Sequence, residues 1–310
     1  MLGYYVHDLS PFLIQFGDNA GLRWYGLSYV LAFIAGWLAY RHLARMGYSD
    51  IPPDKVGDFI TWLAVFGVLI GGRLGFILFY DFDAFQRDPL MVLRVWEGGM
   101  SSHGGMIGVA LFTLWYARRH RISWFNIGDN IVTVTPIGLL FGRIANFING
   151  ELYGRVTSVP WAVQFPKELL GAPVETVQLA LFEANTADPR IQTIDAVIAA
   201  AQTSPAVRTI LAGVLSPRHP SQLYAAFLEG LVLLVLMWTL RTRVRLPNGA
   251  LTGIFFLAYA VVRIVGEMFR EPDAPLTGFL TRGQFLSLFL VIAGTAFLVV
   301  AWRKPVYPKK

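Results

Sequence analysis

The sequence predicts an all-α polytopic membrane protein, on three observations. Hydrophobic residues make up 55% and charged residues 15% of the 310 residues, whereas soluble domains carry about 45–50% and about 25%. The mean hydropathy is +0.52. Seven segments are apolar over nearly the length of about 20 residues that a helix needs to cross a bilayer. These predicted spans are 24–42, 56–79, 102–117, 128–149, 221–240, 250–270 and 283–302.

The N-terminal sequence and the residues within these spans fit a bundle of membrane helices. The N-terminus has no basic region and no small-residue cleavage pattern before the first apolar run, so we expect no removable signal peptide. Several spans contain glycine or proline, which membrane helices tolerate where neighbouring helices pack closely. These residues are Gly71, Gly72, Gly75, Pro136 and Gly138.

Basic residues set the predicted orientation. Connections on one side of the membrane carry Arg41, Arg45, Lys55, Arg118, Arg119, Arg121, Arg241, Arg243, Arg245, Arg303, Lys304, Lys309 and Lys310. Short segments on the other side carry only Arg23, Arg87, Arg94, Arg270 and Arg282. Cytoplasmic loops are enriched in Lys and Arg, so we expect the N-terminus outside and the C-terminus in the cytoplasm. The net charge of +6 is then explained by these loops and by anionic headgroups, without a nucleic-acid partner.

One long segment, 150–220, lies outside the membrane on this interpretation. It divides the chain into 1–149, with four spans after a short periplasmic arm, and 221–310, with three spans and a cytoplasmic tail. Within it, residues 161–166 predict a strand or extended arm and residues 191–201 a short amphipathic helix. Since so short a segment buries little core by itself, we expect a small periplasmic head that packs on the membrane domain.

Several kinds of chemistry are excluded. The chain has no cysteine, which rules out disulfides, thiolate metal sites and a cysteine nucleophile of its own. It also lacks the HExxH, GxxxxGK[ST] and GxSxG motifs. We therefore expect neither a metal nor a cofactor.

Three arginines lie inside predicted spans: Arg73, Arg143 and Arg263. A charged residue at mid-helix costs about 2.5–3.5 kcal/mol on insertion scales and usually faces the interior of the bundle. Counted to the outer end of its helix, each lies roughly 10 Å below the outer surface, at about 1.5 Å per residue. Any one of these arginines is explained by pairing with an acid or with backbone carbonyls. Three guanidiniums at one depth instead favour an anion-binding site. A phospholipid phosphate is the expected anion, because arginine binds phosphate through two parallel hydrogen bonds.

Polar residues share helix faces with two of these arginines. Tyr259, Arg263 and Glu267 follow at i, i+4 and i+8; Glu267 is either a plain salt-bridge partner or orients Arg263 for function. Arg143 shares its face with Asn146 and Asn149, which either line a site or make interhelical hydrogen bonds. Glu151, at the outer helix end, is unfavourable beside the helix dipole, so we expect a specific partner such as an arginine.

His103 stands between glycines at the outer end of the third span. Because imidazole is the side chain that most often transfers protons in enzymes, His103 is a candidate general base, although a lone histidine is as readily structural. Tyr25 opens the first span, where an aromatic interfacial belt is the simpler explanation. Ser221 in 219–224 is interpreted as a helix cap. Asp129 and Glu229 are interpreted as helix-end or packing residues.

The segment from Gly142 to Gly154, GRIANFINGELYG, resembles the signature of the bacterial prolipoprotein diacylglyceryl transferase family, and matches its fixed positions G-R-x-[GA]-N-F-x-N-x-E-x-x-G. Other blocks agree with that family along most of the chain: 24–27, 71–75, 103–105, 218–224, 259–267 and 269–273. Residues 168–215 do not match it clearly.

The resemblance implies a seven-span enzyme of the bacterial cytoplasmic membrane, with its site facing the outer leaflet. It would transfer the diacylglyceryl group of phosphatidylglycerol to the lipobox cysteine of a preprolipoprotein signal peptide, forming a thioether and releasing glycerol 1-phosphate. Membrane lipids would surround it. The competing function is a transporter or flippase of an anionic lipid, which requires a polar path into the inner half of the bundle.

On this resemblance, Arg143 and Arg263 hold the lipid phosphate, and Arg73 is a further headgroup contact or structural. His103 accepts the thiol proton, with Tyr259 or an acid as the alternative. The remaining residues that line or orient the site are Tyr25, Asn146, Asn149, Glu151, Gly154 and Glu267.

Overall fold

The computed structural model describes residues 3–17, 20–272, 281–303 and 305–308. Asp273 of the last family block and Lys304, Lys309 and Lys310 of the basic tail lie outside the described residues. The chain is mostly helical. Its helices are α1 (Trp24–Arg45), α2 (Val56–Tyr80), α3 (Phe82–Arg87), α4 (Ser102–His120), α5 (Trp124–Ile148), α6 (Val174–Ala187), α7 (Ile194–Thr203), α8 (Pro205–Val214), α9 (Ser221–Arg243), α10 (Ala250–Glu267) and α11 (Arg282–Arg303).

A long helix lies at each of the seven predicted spans, although α5 ends at Ile148 and α10 at Glu267, one and three residues before the predicted ends. Five of them are long and apolar enough to cross a membrane: α2, α5, α9, α10 and α11. Helices α1 and α4 are not among these five, so their crossing of the membrane stays a prediction. The described residues also contain four short strands, of which the last lies within the predicted strand segment 161–166: β1 (Tyr5–Val6), β2 (Phe12–Gln15), β3 (Gly21–Arg23) and β4 (Val163–Gln164). β1 pairs with β4 in parallel, and β2 pairs with β3 antiparallel.

The chain forms two compact units. The first consists of 1–32, 136–235 and 256–293, and it contains the segment predicted as a head. That segment holds β4 and three helices, α6 to α8, of which the sequence predicted the strand and α7 but missed α6 and α8. The helices bury a core that includes Ala180, Ala184, Val197 and Leu211, and Val6 of the N-terminal arm also belongs to it. Small side chains let such short helices approach closely, and this explains a compact core in so short a segment.

The N-terminal arm packs into the first unit through His7. The His7 ring lies 5.4 Å from the rings of both Phe147 and Phe165, and its Nε2 lies 2.7 Å from the Phe147 carbonyl oxygen. Burial lowers the pKa of the His7 imidazole, because a desolvated ring disfavours the charged form. A neutral His7 that donates from Nε2 therefore fits this position.

The second unit consists of 33–135, 236–255 and 294–310. In it α2 and α4 approach through glycines: a Cβ added at Gly75 would come closer than 3.0 Å to the Cα of Gly104, and one at Gly71 would come as close to Gly108. Close packing at Gly71 and Gly75 was predicted from the sequence and is confirmed. Only residues without a side chain permit backbones this near each other.

The helix-end interpretation of Asp129 is also confirmed in the second unit. Its carboxylate accepts hydrogen bonds of 2.8 Å from the backbone N–H groups of Gly249 and Thr252 and from the Thr252 hydroxyl. Asp129, on α5, therefore satisfies the free N–H groups at the start of α10, where negative charge is favourable.

Candidate functional site

Two of the predicted arginines meet at one carboxylate in the first unit. Glu229 on α9 accepts hydrogen bonds from Arg143 Nε at 2.9 Å and Arg143 Nη2 at 2.7 Å through its Oε2. Its Oε1 accepts a longer one, 3.4 Å, from Arg263 Nη1. The Glu229 side chain is only 1% exposed, and each arginine is 18% exposed. A buried carboxylate thus holds two guanidiniums from different helices, α5 and α10.

A π-helical stretch of α9, Ala226–Val232, contains Glu229. Such a stretch inserts extra residues into a helix turn and is common at functional sites. Gly230, the next residue, packs against Leu140 of α5: a Cβ there would come 2.7–3.1 Å from Leu140 atoms. The missing side chain lets α9 approach α5 next to the Glu229–Arg143 contact.

A second carboxylate completes the group. Glu267 Oε1 lies 2.7 Å from Arg263 Nη2, one turn along α10, as the i, i+4 spacing predicted. Glu267 is itself buried, and a Cβ added at Gly283 would come within 2.6 Å of its carboxyl group. Tyr259 contacts Arg143 through its side chain. We call Arg143, Glu229, Arg263 and Glu267 the arginine–glutamate cluster.

The signature segment forms the wall beside this cluster. Glu151 Oε1 accepts hydrogen bonds from Asn146 Nδ2 at 2.8 Å and Asn149 Nδ2 at 3.5 Å. The partners of Glu151 are therefore the two asparagines, and the arginine partner that the sequence suggested for it is not found among its hydrogen bonds and ion pairs in the described chain. Gly150, at a φ of +64°, and Leu152, at +57°, turn the chain sharply after α5.

The start of α9 holds that turn in place. Gln222 Nε2 donates to the Glu151 carbonyl oxygen at 2.7 Å, and the Ser221 hydroxyl donates to the Leu152 carbonyl oxygen at 3.0 Å. The cap role predicted for Ser221 is therefore wrong: Ser221 is the first helical residue, and its hydroxyl serves the neighbouring loop instead.

Gly154 leaves no room for a side chain. A Cβ there would come closer than 3.0 Å to the carbonyl oxygens of both Phe269 and His219. Its backbone N–H donates to His219 O at 2.9 Å, and it forms a bridge with Arg270. Gly154 thus joins the signature loop to the ends of two other segments of the unit.

A small cavity of about 20 Å³ lies among these residues. Arg143, Asn146, Gln222, Glu229 and Arg263 all line it. This volume suffices for a water molecule. A guanidinium carries five N–H donors, and the carboxylate contacts of Arg143 and Arg263 use only some of them, so both retain donors for a further anion.

Tyr25, Arg73 and His103 are not among the residues that line this cavity. The Tyr25 hydroxyl lies 3.4 Å from that of Tyr29 on the same helix. His103 is in the first turn of α4, behind Ser101, whose hydroxyl accepts from the Gly104 N–H at 3.1 Å. Its half-buried ring has no hydrogen-bond partner within the described ranges.

Arg73, in the second unit, is surrounded by backbone oxygens. Its guanidinium donates to the carbonyls of Gly98 at 2.6 Å and Gly99 at 3.1 Å, and further contacts go to the carbonyls of Met91, Val92 and Arg94. These bonds fold the segment after α3 around a buried charge. They support the structural alternative for Arg73, while its contact with a headgroup stays a prediction.

Sequence reasoning missed Glu229, which it treated as a helix-end or packing residue. That interpretation is wrong, because Glu229 lies inside α9 and bridges two arginines. The signal was present: Glu229 is a lone acidic residue within an apolar span, and such residues pair with other charges in the bundle interior. Gln222 was missed as well, because its carbonyl partner is 71 positions away in sequence.

Fold and site together define a helical, multi-pass membrane protein with a buried arginine–glutamate cluster beside an asparagine–glutamate loop. Residues 11–300 match the family model described as prolipoprotein diacylglyceryl transferase. A protein from Rhodospirillum centenum is 41% identical over 99% of this chain and 96% of its own length. One from Proteus mirabilis is 40% identical over 96% of this chain and 93% of its own length. Both are named phosphatidylglycerol–prolipoprotein diacylglyceryl transferase. The chain belongs to the prolipoprotein diacylglyceryl transferase family, and it is a transferase.

Proposed function

We propose that this enzyme transfers the diacylglyceryl group of phosphatidylglycerol to the thiol of a lipobox cysteine in a preprolipoprotein. The arginine–glutamate cluster carries the proposal, since it presents two guanidiniums with unused donors inside a membrane protein. The names of the relatives supply the same two substrates for those proteins. The enzyme would lie in the bacterial cytoplasmic membrane, with its N-terminus outside and this site facing the outer leaflet.

The chemistry is a substitution at carbon. The cysteine sulfur forms a bond to the terminal glyceryl carbon of the diacylglyceryl group, and the bond from that carbon to the phosphate oxygen breaks. The electron pair leaves with glycerol 1-phosphate, and the thiol proton goes to a base. The products are a thioether and a phosphate monoester, which carries more negative charge than the starting diester.

Arg143 and Arg263 hold the phosphate and offset this growing charge. Glu229 and Glu267 fix the two guanidiniums, while Asn146, Asn149 and Glu151 shape the adjoining wall. His103 serves as the base, because its half-buried ring has no hydrogen-bond partner in the described part of the chain; Tyr259 or an acid is the alternative. Tyr25 and Gly154 complete the substrate-binding set, and Arg73 adds a headgroup contact or supports the fold.

The test uses purified protein with phosphatidylglycerol and a lipobox peptide that contains one cysteine. We expect a mass gain on the peptide equal to the diacylglyceryl group, together with glycerol 1-phosphate in solution. Arg143→Ala and Arg263→Ala should insert normally but lose transfer. Arg190→Ala, which removes a 90% exposed side chain, is the matched control and should transfer normally.

Two outcomes would contradict the proposal. Wild-type transfer by both arginine variants would exclude the phosphate clamp. Movement of labelled lipid between leaflets without any peptide product would favour the transporter or flippase instead. Because the chain has no cysteine, pretreatment with a thiol alkylator that is removed before the peptide is added should leave transfer unchanged.

A further inference from the structure

A second basic site lies in the other compact unit, at the C-terminal end of α9. A cavity of about 90 Å³ is lined there by three arginines at alternate positions, Arg241, Arg243 and Arg245, and by Tyr48. The C-terminal tail helps to enclose it: Pro308 lines the cavity, and Asn248 N donates to the Val306 carbonyl oxygen at 2.7 Å. We call this the basic cavity.

Arg241 is built into the protein rather than free at its surface. It is 3% exposed, its Nη2 donates to Asn130 Oδ1 at 3.2 Å, and it also contacts the Tyr48 carbonyl oxygen. Its Nε is buried and has no hydrogen-bond partner among the described residues. One wall of the basic cavity is thus a guanidinium that hydrogen bonds hold in place.

Two carboxylates, those of Asp129 and Asp50, attract Arg241, which leaves them outnumbered by the three guanidiniums. Asp129 Oδ2 is 3.9 Å from Arg241 Nη1, and its carboxylate is already occupied by three hydrogen bonds at the start of α10. Arg243 and Arg245 are exposed and form no ion pair with a described carboxylate, and Arg245 lies over the Tyr307 ring at 5.1 Å. The cavity therefore carries an excess of positive charge.

A simpler role accounts for only part of this arrangement. Basic side chains near a helix C-terminus interact favourably with the helix dipole, and that suffices for Arg243. It does not account for the burial of Arg241, nor for the cavity that Arg241 lines together with Arg243, Arg245 and Pro308.

We propose that the basic cavity binds a phosphate group, in the first instance that of an anionic phospholipid in the facing leaflet. Guanidiniums are the side chains best suited to phosphate oxygens. The cavity lies at the end of α9, a helix able to span the membrane, and basic pockets at such ends bind anionic headgroups. By the predicted orientation, this is the cytoplasmic leaflet.

The experiment measures thermal stabilisation of the purified full chain in phosphatidylcholine nanodiscs. The probes are inorganic phosphate and short-chain phosphatidic acid, with short-chain phosphatidylcholine as the neutral lipid. The test variant is Arg243→Gln with Arg245→Gln, because both side chains are exposed and their loss spares the buried Arg241. The control is Arg118→Gln with Arg119→Gln, two exposed arginines of the same predicted membrane face.

We expect phosphatidic acid to stabilise the wild type and the control pair alike. Its apparent affinity for the test pair should be at least about tenfold weaker, the factor that corresponds to one lost charge-assisted hydrogen bond. Stabilisation by inorganic phosphate but not by phosphatidic acid, lost in the test pair, would identify a soluble phosphate as the ligand of the same site.

An equal loss of affinity in both pairs, or no stabilisation by either probe, would overturn the proposal. The arginines would then act only through the general positive charge of this surface. Anion binding at the arginine–glutamate cluster is common to the wild type and both pairs, so the difference between the test pair and the control pair reports on the basic cavity alone. The readout is also independent of transferase activity, so failure here leaves the proposed function untouched.

Discussion

Glu229→Gln is the sharpest test of the arginine–glutamate cluster. The substitution keeps the shape of the side chain but removes its charge and one acceptor oxygen. The single remaining oxygen can still accept from Arg143, at the positions now 2.7 and 2.9 Å away. The new amide N–H₂ then faces Arg263, so a donor meets a donor where Glu229 Oε1 now accepts at 3.4 Å.

The expected loss of stability follows from burial. Removing one partner of a buried ion pair costs about 3–5 kcal/mol, and we expect the lower end because Arg263 keeps Glu267. A loss of about 3 kcal/mol corresponds to a Tm lower by roughly 5 °C, because the entropy of unfolding is about 2.1 cal/mol/K per residue over 310 residues. Glu271→Gln is the matched control: its half-exposed carboxylate lies 3.0 Å from Arg218, and surface pairs contribute only about 0–1 kcal/mol.

Activity separates a positioning role from a merely structural one. If Glu229 positions both guanidiniums, their misplacement should lower kcat for lipid transfer to a lipobox peptide about 100-fold, even at temperatures where the variant is fully folded. A variant with lowered Tm and unchanged kcat would show that Glu229 serves folding alone. Unchanged Tm and unchanged kcat would refute the reasoning about the cluster altogether.

Three further predictions concern other parts of the chain. Gly75→Ala should lower the Tm by overpacking against Gly104, at a cost of about 1–3 kcal/mol. The control Gly105→Ala should leave the Tm unchanged, because its Cβ would make only ordinary contacts. Equal Tm values for the two variants would contradict the close approach of α2 and α4. His103→Asn should abolish transfer from about pH 6 to 8, and full activity across that range would exclude His103 as the base. Because burial lowers the pKa of His7, the unfolded chain binds the proton more readily, so stability should fall as the pH drops below about 6.5. His7→Gln should flatten this pH dependence in melting curves recorded at several pH values. An unchanged slope in the variant would contradict the prediction.

The helices were predictable because their signal is local. Each predicted span needs only its own hydropathy, and each is a helix. The i, i+4 contact of Arg263 with Glu267 also follows from one helix alone. Helices α6 and α8 were missed. The signal for α8 was present, because Ser204 caps it, Pro205 starts it and apolar residues recur at helical spacing, whereas α6 starts after Pro173 without a side-chain cap.

The arginines of the candidate site were predictable from the sequence, but their shared hydrogen-bond partner was not. Arg143 and Arg263 are identifiable as costly charges in apolar spans, but that both bind one carboxylate depends on how α5, α9 and α10 pack. Local rules also assign Ser221 to its own helix end, whereas its hydroxyl donates to a carbonyl 69 positions away. The Leu152 carbonyl, which tertiary packing brings close, takes the Ser221 hydroxyl in place of a capping hydrogen bond. No residue near Ser221 in the sequence indicates that Leu152 will be its partner.

Under the proposed function, the charge balance of the cluster would allow it both to reside in a membrane and to serve catalysis. Two guanidiniums and two carboxylates cancel, which limits the cost of burying them before a lipid arrives. The phosphate diester would bind through the unused N–H groups without displacing Glu229 or Glu267. As the carbon–oxygen bond breaks, the leaving phosphate gains charge, and its attraction to guanidiniums already fixed in place grows. Stabilisation that increases along the reaction lowers the barrier, whereas arginines without their carboxylates would bind the diester more tightly and gain less.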